Sequence, residues 1–190
     1  MPADQGKALP SGGAFLRPDA TRRSGGETAG VRTAAAGVPA VYFPIMETIS
    51  TVNLGKFSVG RGRPLALIAG PCVLEGEETA NRIAHALVRA AAACGIPLVF
   101  KASYDKANRT ALDAYRGPGL VAGLEILQRI KQKFGVPVLT DVHRPEDFAP
   151  VAEVADIVQV PAFLCRQTDM LVAAAKCGRV VNIKKGQFLA

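Results

Sequence analysis

Ile96-Pro97-Leu98-Val99-Phe100-Lys101-Ala102-Ser103-Tyr104-Asp105-Lys106-Ala107-Asn108-Arg109 is the stretch that decides the fold. Its first half is a short apolar run without polar alternation, the pattern of a strand buried on both faces. Its second half sets Lys101, Lys106 and Arg109 around the polar Ser103 and Asn108. A buried strand that ends in convergent cations puts positive charge at one mouth of a sheet or barrel, as anionic, phosphorylated substrates require. A solvated basic loop would carry the same charges alone. Here the run does not stand alone, because other predicted strands end in the same chemistry.

Outward from this stretch the pattern is regular. Residues 51 to 59 read as a hairpin arm, closed by Gly60-Arg61-Gly62-Arg63-Pro64. Strands are then predicted at 65–69, 98–101, 138–141, 157–160 and 180–184. Helices are predicted at 79–94, 120–134, 146–154 and 168–176. Apolar strands alternating with amphipathic helices make a parallel sheet. A doubly wound sheet would carry a glycine fingerprint after its first strand, but Gly70-Pro71-Cys72 stands there instead. Polar residues at every strand end favour a (β/α)8 barrel, whose site draws on all its strand ends. A whole barrel takes about 250 residues, so the expected fold is an α/β barrel truncated after about its fifth strand, occupying residues 46–190.

Residues 1–45 differ. More than half are Ala, Gly, Pro or Arg, without periodicity, and this segment is expected to be a disordered or spurious extension. The four cysteines, Cys72, Cys94, Cys165 and Cys177, form no CxxC pair and no secreted-domain spacing. No apolar run reaches membrane-spanning length. A cytoplasmic protein without a membrane partner is expected. The net charge of +7 raises the question of nucleic acid. Lys101, Lys106, Arg109, Arg116, Arg166, Lys184 and Lys185, however, gather at or just beyond strand ends and are not interleaved with aromatics. Small phosphorylated anions suit that distribution and nucleic acid does not.

The strand-end segments are FKASYDKANRT (residues 100–110), TDVHRP (140–145), QVPAFLCRQTD (159–169) and NIKKGQF (182–188), with YRGPG at 115–119. Together they resemble the 3-deoxy-D-manno-octulosonate 8-phosphate synthases, metal-dependent type. Those enzymes condense phosphoenolpyruvate with D-arabinose 5-phosphate and release phosphate, in the synthesis of the lipopolysaccharide sugar KDO. The related heptulosonate (DAHP) synthases, which use erythrose 4-phosphate, share the AGPC start but carry Lys-Pro-Arg-Thr where this chain has Lys106-Ala107-Asn108-Arg109. An inactive anion-binding fragment is the remaining alternative.

The resemblance implies a role for each strand end. Lys101, Ser103, Lys106 and Gln187 face the carboxylate side of phosphoenolpyruvate. Lys184, Arg166 and the backbone at Ala162 and Phe163 hold its phosphate. Asn108 meets the sugar hydroxyls and Arg109 the sugar phosphate. Lys106, Asn108, Asp141 and His143 form the catalytic set, with Asp141 orienting the sugar or a water and His143 hydrogen bonding or relaying protons. A homo-oligomer, a tetramer, is implied as well. Family members with cysteine at the position of Cys72 bind a divalent metal, and a thiolate there suits Zn²⁺ and tolerates Fe²⁺ or Mn²⁺. The remaining ligands are expected beyond residue 190. Cys94, Cys165 and Cys177 are expected to be small buried apolar residues, and His85 a surface or partly packed helix residue.

Overall fold

The computed structural model describes Phe15–Leu16 and residues 51–189. After β1 (Phe15–Leu16), β2 (Val52–Asn53) and β3 (Ser58–Val59) form an antiparallel hairpin. The repeating units follow as β4 (Leu67–Ala69), α1 (Glu77–Ala93), β5 (Leu98–Lys101), α2 (Leu120–Phe134), β6 (Val138–Asp141), α3 (Phe148–Val154), β7 (Ile157–Val160), α4 (Thr168–Lys176) and β8 (Val180–Ile183). Strands β4 to β8 pair in parallel and in chain order, without a reversal.

The two faces of this sheet are covered differently, and that excludes a doubly wound arrangement. Phe100, Val138, Val158, Val160 and Val181 pack with Ala84, Leu127, Ile130, Phe148, Met170 and Ala174, which draw on all four helices. The alternate strand residues Val99, Leu139, Ile157 and Val180 pack instead with Val52, Leu54 and Phe57 of the hairpin region. Helices thus cover one face only, and the hairpin plugs the other, which is the winding of a (β/α)8 barrel. The burial of these side chains is the main source of stability.

Strand alternation then positions the site. Side chains two apart share a face, so the hairpin-side rows run Val99-Lys101, Leu139-Asp141, Ile157-Gln159 and Val180-Asn182. Cross-strand register aligns Asp141 with Gln159 and Gln159 with Asn182. Each row is apolar beside the hairpin plug and polar toward the carboxyl ends of the strands.

Most predicted elements match within two residues, and five strands or helices match to the residue. The helix expected at 146–154 is instead a 3-10 turn over Pro145–Asp147 followed by α3. Pro145 suits a helix start but lacks an N–H to continue a helix behind it. Cys94 corrects an expectation, because it is exposed at the end of α1. The buried face of α1 ends at Ala91. Within the segment expected to lack structure, β1 pairs antiparallel with β8, Phe15 opposite Asn182 and Leu16 opposite Val181. An open sheet edge offers backbone partners even to a segment without strand patterning. The rest of residues 1–45, and Met46, lie outside the described residues.

The β4–β5 pairing carries one extra residue. Ala69 aligns with Phe100, but the next bridge joins Val73 to Ser103. Gly70 lies in this irregularity, and a Cβ built on it would meet the Lys101 carbonyl oxygen at 1.8 Å. Backbone against backbone cannot yield as a flexible side chain can. Gly70→Ala should lower stability by about 1–3 kcal/mol, the usual cost of overpacking. Urea denaturation checks this, and an unchanged midpoint would refute the close approach.

Candidate active site

The site is organised by one buried carboxylate. Asp141 ends β6 at 5% exposure. Ser103, fully buried just beyond β5, donates its hydroxyl hydrogen bond to Asp141 Oδ1. His143 Nε2 lies 3.2 Å from Asp141 Oδ2, and Lys106 Nζ lies 3.7 Å from the same oxygen. Burial alone would raise the proton affinity of this carboxyl. The hydrogen bonds from His143 and Ser103 and the charges of Lys101 and Lys106 outweigh burial and hold it well below the usual carboxylate range.

Lys101 is the counterpart. Burial pushes its ammonium below the usual lysine value; Asp141 opposes that shift, Lys106 and Lys184 add to it, and Cys72 opposes it. These influences place Lys101, Lys106, Lys184, Asp141 and Cys72 in one electrostatic neighbourhood at the carboxyl ends of the strands. Three cations share a mouth with a single buried anion, so an incoming anion meets unspent positive charge.

The loop after β5 folds back onto the barrel. Arg116 forks onto Asp105 at 2.9 and 2.6 Å, and the Lys106 amide donates to the Arg116 carbonyl at 2.7 Å. The Arg116 fork holds the Asp105 carboxyl below its usual range. The Tyr115 hydroxyl donates to the Leu74 carbonyl at 2.9 Å, and the Gly119 amide donates to the Tyr104 carbonyl. Gly117, with φ of 122°, passes where a Cβ would sit 2.4 Å from the Tyr104 carbonyl oxygen. These contacts fix the backbone from which Lys106 projects.

The expected residues divide into an inner group and a rim. Lys101, Ser103, Lys106, Asp141 and His143 come together, with Cys72 and Lys184 at their edge. Asn108, Arg109, Phe163, Arg166, Lys184 and Gln187 are exposed on the strand-end loops, and Ala162 begins a 3-10 turn after β7. Arg109 turns its guanidinium onto the Tyr115 carbonyl, with Nε at 2.9 Å, and makes no described contact with the Asp141 cluster. Cys165 is buried, Cys177 partly so, and His85 is exposed.

Sequence reading missed a support layer. The Tyr104 hydroxyl donates to Asp147 Oδ2 at 3.2 Å, and Arg144 Nη2 reaches Asp147 Oδ1 at 3.3 Å. Asn182 Nδ2 donates to Gln159 Oε1 at 3.0 Å. The Gln159–Asn182 pair could have been found from strand alternation; nothing in the sequence pointed to Asp147.

Among the described residues, no group of three or more His, Cys, Asp or Glu could hold a metal ion. The donor set at the Cys72 position is one exposed thiol. One thiol does not make a metal site, and Asp141 and His143 are engaged with each other.

The model of the DAHP synthetase I family matches residues 43–190. The chain belongs to the DAHP synthetase I family. It is 56% identical over 142 residues to a 2-dehydro-3-deoxyphosphooctonate aldolase of Geotalea uraniireducens, covering 75% of this chain and 52% of that protein. A protein of the same name from Trichlorobacter lovleyi is 57% identical over 139 residues, 73% of this chain and 51% of the relative. Another, from Nitratidesulfovibrio vulgaris, is 63% identical over 124 residues, 65% and 45% of the two chains. The chain thus spans about half the length of these curated relatives. No helix among the described residues is long and apolar enough to cross a membrane.

The depressed Asp141 carboxyl has a consequence for stability. Its folded proton affinity lies below that of the unfolded chain, so the ionised form contributes stability above the ordinary carboxylate value of 3.8. That contribution is lost progressively as pH falls below this value, because the unfolded state then binds more protons. Asp141→Asn removes the titration. Urea midpoints measured from neutral to acidic pH should fall more steeply for the native chain than for the variant, and parallel curves would contradict the assignment.

Proposed function

We propose that this chain carries the phosphoenolpyruvate-binding and part of the sugar-binding face of a 2-dehydro-3-deoxyphosphooctonate aldolase. The reaction joins phosphoenolpyruvate, D-arabinose 5-phosphate and water into 3-deoxy-D-manno-octulosonate 8-phosphate, releasing phosphate. The observation that carries the reading is the placement of Lys101 and Lys106 beside the buried Asp141, with Lys184 within electrostatic reach of Lys101. Phosphoenolpyruvate bears a carboxylate and a phosphate on adjacent groups, and rigid, closely spaced cations match it. In this reading Lys101, Ser103, Lys106 and Gln187 serve its carboxylate side. Lys184, Arg166 and the backbone at Ala162 and Phe163 serve its phosphate.

Asp141 holds Lys106 in place before substrate arrives, and orients the sugar or a reacting water. Asn108 and Arg109 serve the sugar and its phosphate, which requires Arg109 to leave the Tyr115 carbonyl. The relatives' names favour arabinose 5-phosphate, as does Lys106-Ala107-Asn108-Arg109. Erythrose 4-phosphate and a non-catalytic anion-binding module remain the competing readings. Phosphate release with arabinose 5-phosphate, with erythrose 4-phosphate and with neither separates the three. A cytoplasmic homo-oligomer, a tetramer, completes the proposal.

Cys72 would be one donor to a divalent metal, Zn²⁺, Fe²⁺ or Mn²⁺, with its other donors outside the described residues. If Cys72 is a ligand, chelator should abolish phosphate release by the native protein, while Cys72→Asn should retain some release that chelator does not touch. A native protein insensitive to chelator would end the metal assignment.

Lys184→Ala and Arg166→Ala should each weaken phosphoenolpyruvate recognition by about 2–4 kcal/mol, the scale of one lost contact to developing or resident charge. Steady-state kinetics with phosphoenolpyruvate as the varied substrate measures this. Unchanged parameters in both variants would sink the phosphate assignment.

A further inference from the structure

His143 sits behind Asp141, and its two ring nitrogens have unequal surroundings. The side chain is 9% exposed, with Nε2 at 3.2 Å from Asp141 Oδ2. Nδ1 is buried and has no hydrogen-bond partner among the described residues. The ring also lies edge-to-face with Tyr104, centroids 5.9 Å apart at 79°. Tyr104 is itself pinned, because its hydroxyl donates to Asp147 Oδ2 at 3.2 Å.

From this geometry we infer that His143 is a positioning residue. It donates Nε2–H to Asp141, keeps a bare Nδ1 against the Tyr104 support, and thereby fixes the carboxylate that anchors Lys106. The inference rests on the proposed reading that this Asp141–Lys106 pair serves phosphoenolpyruvate.

Three physical points support it. A ring that relays protons needs an exchangeable partner on each nitrogen, and Nδ1 has none among the described residues. A buried nitrogen carrying a proton without an acceptor would leave a donor unsatisfied, whereas Nε2–H has a charged acceptor in place. Turning the ring to exchange the two nitrogens would break the Asp141 contact and disturb the packing on Tyr104. The hydrogen bond of Nε2 thus decides which nitrogen bears the proton. His143 acts on substrate only through Asp141 and Lys106.

The chain holds two histidines, His85 and His143, which makes the assignment direct. Long-range proton–nitrogen correlation spectra of the chain, at a pH alkaline enough to leave both rings neutral, report each tautomer. His85→Gln identifies the signals, since His85 is exposed on α1. The expected result is a single Nε2–H tautomer for His143, replaced in Asp141→Ala by the mixed tautomers of an exposed ring. A proton on Nδ1 of His143, or a spectrum unmoved by Asp141→Ala, overturns the inference.

Calorimetric titration with phosphoenolpyruvate supplies the second arm. Glutamine places an amide nitrogen as many bonds from Cα as imidazole Nε2, and asparagine reaches only as far as Nδ1. His143→Gln should bind within about threefold of the native chain, whereas His143→Asn and His143→Leu should bind about ten- to a hundredfold more weakly, the scale of misplacing one anchoring group. Equal losses in the Gln and Leu variants overturn the positioning role. A native chain that binds no phosphoenolpyruvate overturns the substrate reading instead, and the tautomer spectrum still decides the inference.

Discussion

The buried Asp141 carboxylate is the constraint on which the site depends. Withdrawing a charge from water costs several kcal/mol, and only good geometry with every lone pair engaged offsets it. Ser103, His143 and Lys106 supply that geometry from the ends of two neighbouring strands. The arrangement therefore forms only when β5 and β6 are correctly registered, with Lys101 beside Leu139. A one-residue slip would turn Asp141 toward the helices and their apolar contacts. Fold and site are coupled through this pairing, and removing one partner of the cluster would leave an uncompensated charge worth about 3–5 kcal/mol.

A gradient runs along the same strands. Val99, Leu139, Ile157 and Val180 close one end against the hairpin, and Lys101, Asp141, Gln159 and Asn182 open the other. The apolar end is packed against the hairpin, so the polar end is held on a rigid floor. That is why cations on strand ends can be placed closely enough to repel one another. Burial is the largest cause of the depressed proton affinity of Lys101, and repulsion from Lys106 and Lys184 adds to it. A mobile loop carrying the same three lysines would simply let them separate.

Much of this could be read from sequence, for identifiable reasons. Strand limits were legible at 98–101, 138–141 and 157–160 because continuous apolar runs met charged or turn-forming residues abruptly. The inner group, Lys101, Ser103, Lys106, Asp141 and His143, was legible because strand ends converge in any parallel barrel. Side-chain direction was not. Arg109 stands in the same motif as Lys106, yet it bonds its own loop at Tyr115. The role of Tyr104 was hidden for a different reason, since an aromatic after a buried strand reads as core. It is core at 2% exposure, and only the hydroxyl contact with Asp147 shows a second task. Cys94 was misread because a cysteine carries no sign of which helix face it occupies once the periodic face has ended.

The support behind the cluster also explains why a histidine is suited to the place beside Asp141. Lysine or arginine there would add a further cation to a mouth where Lys101 already holds its proton less firmly. An imidazole there donates a hydrogen bond to the carboxylate, and its flat ring packs on Tyr104. Asparagine or serine at that position would be too short to span the same gap from the loop after β6. Lys101, Lys106 and Lys184 carry the positive charge of the mouth, and Ser103 and His143 contribute hydrogen bonds to Asp141. An anion arriving among Lys101, Lys106 and Lys184 then relieves their mutual repulsion, so ligand binding and stability of the sheet reinforce each other.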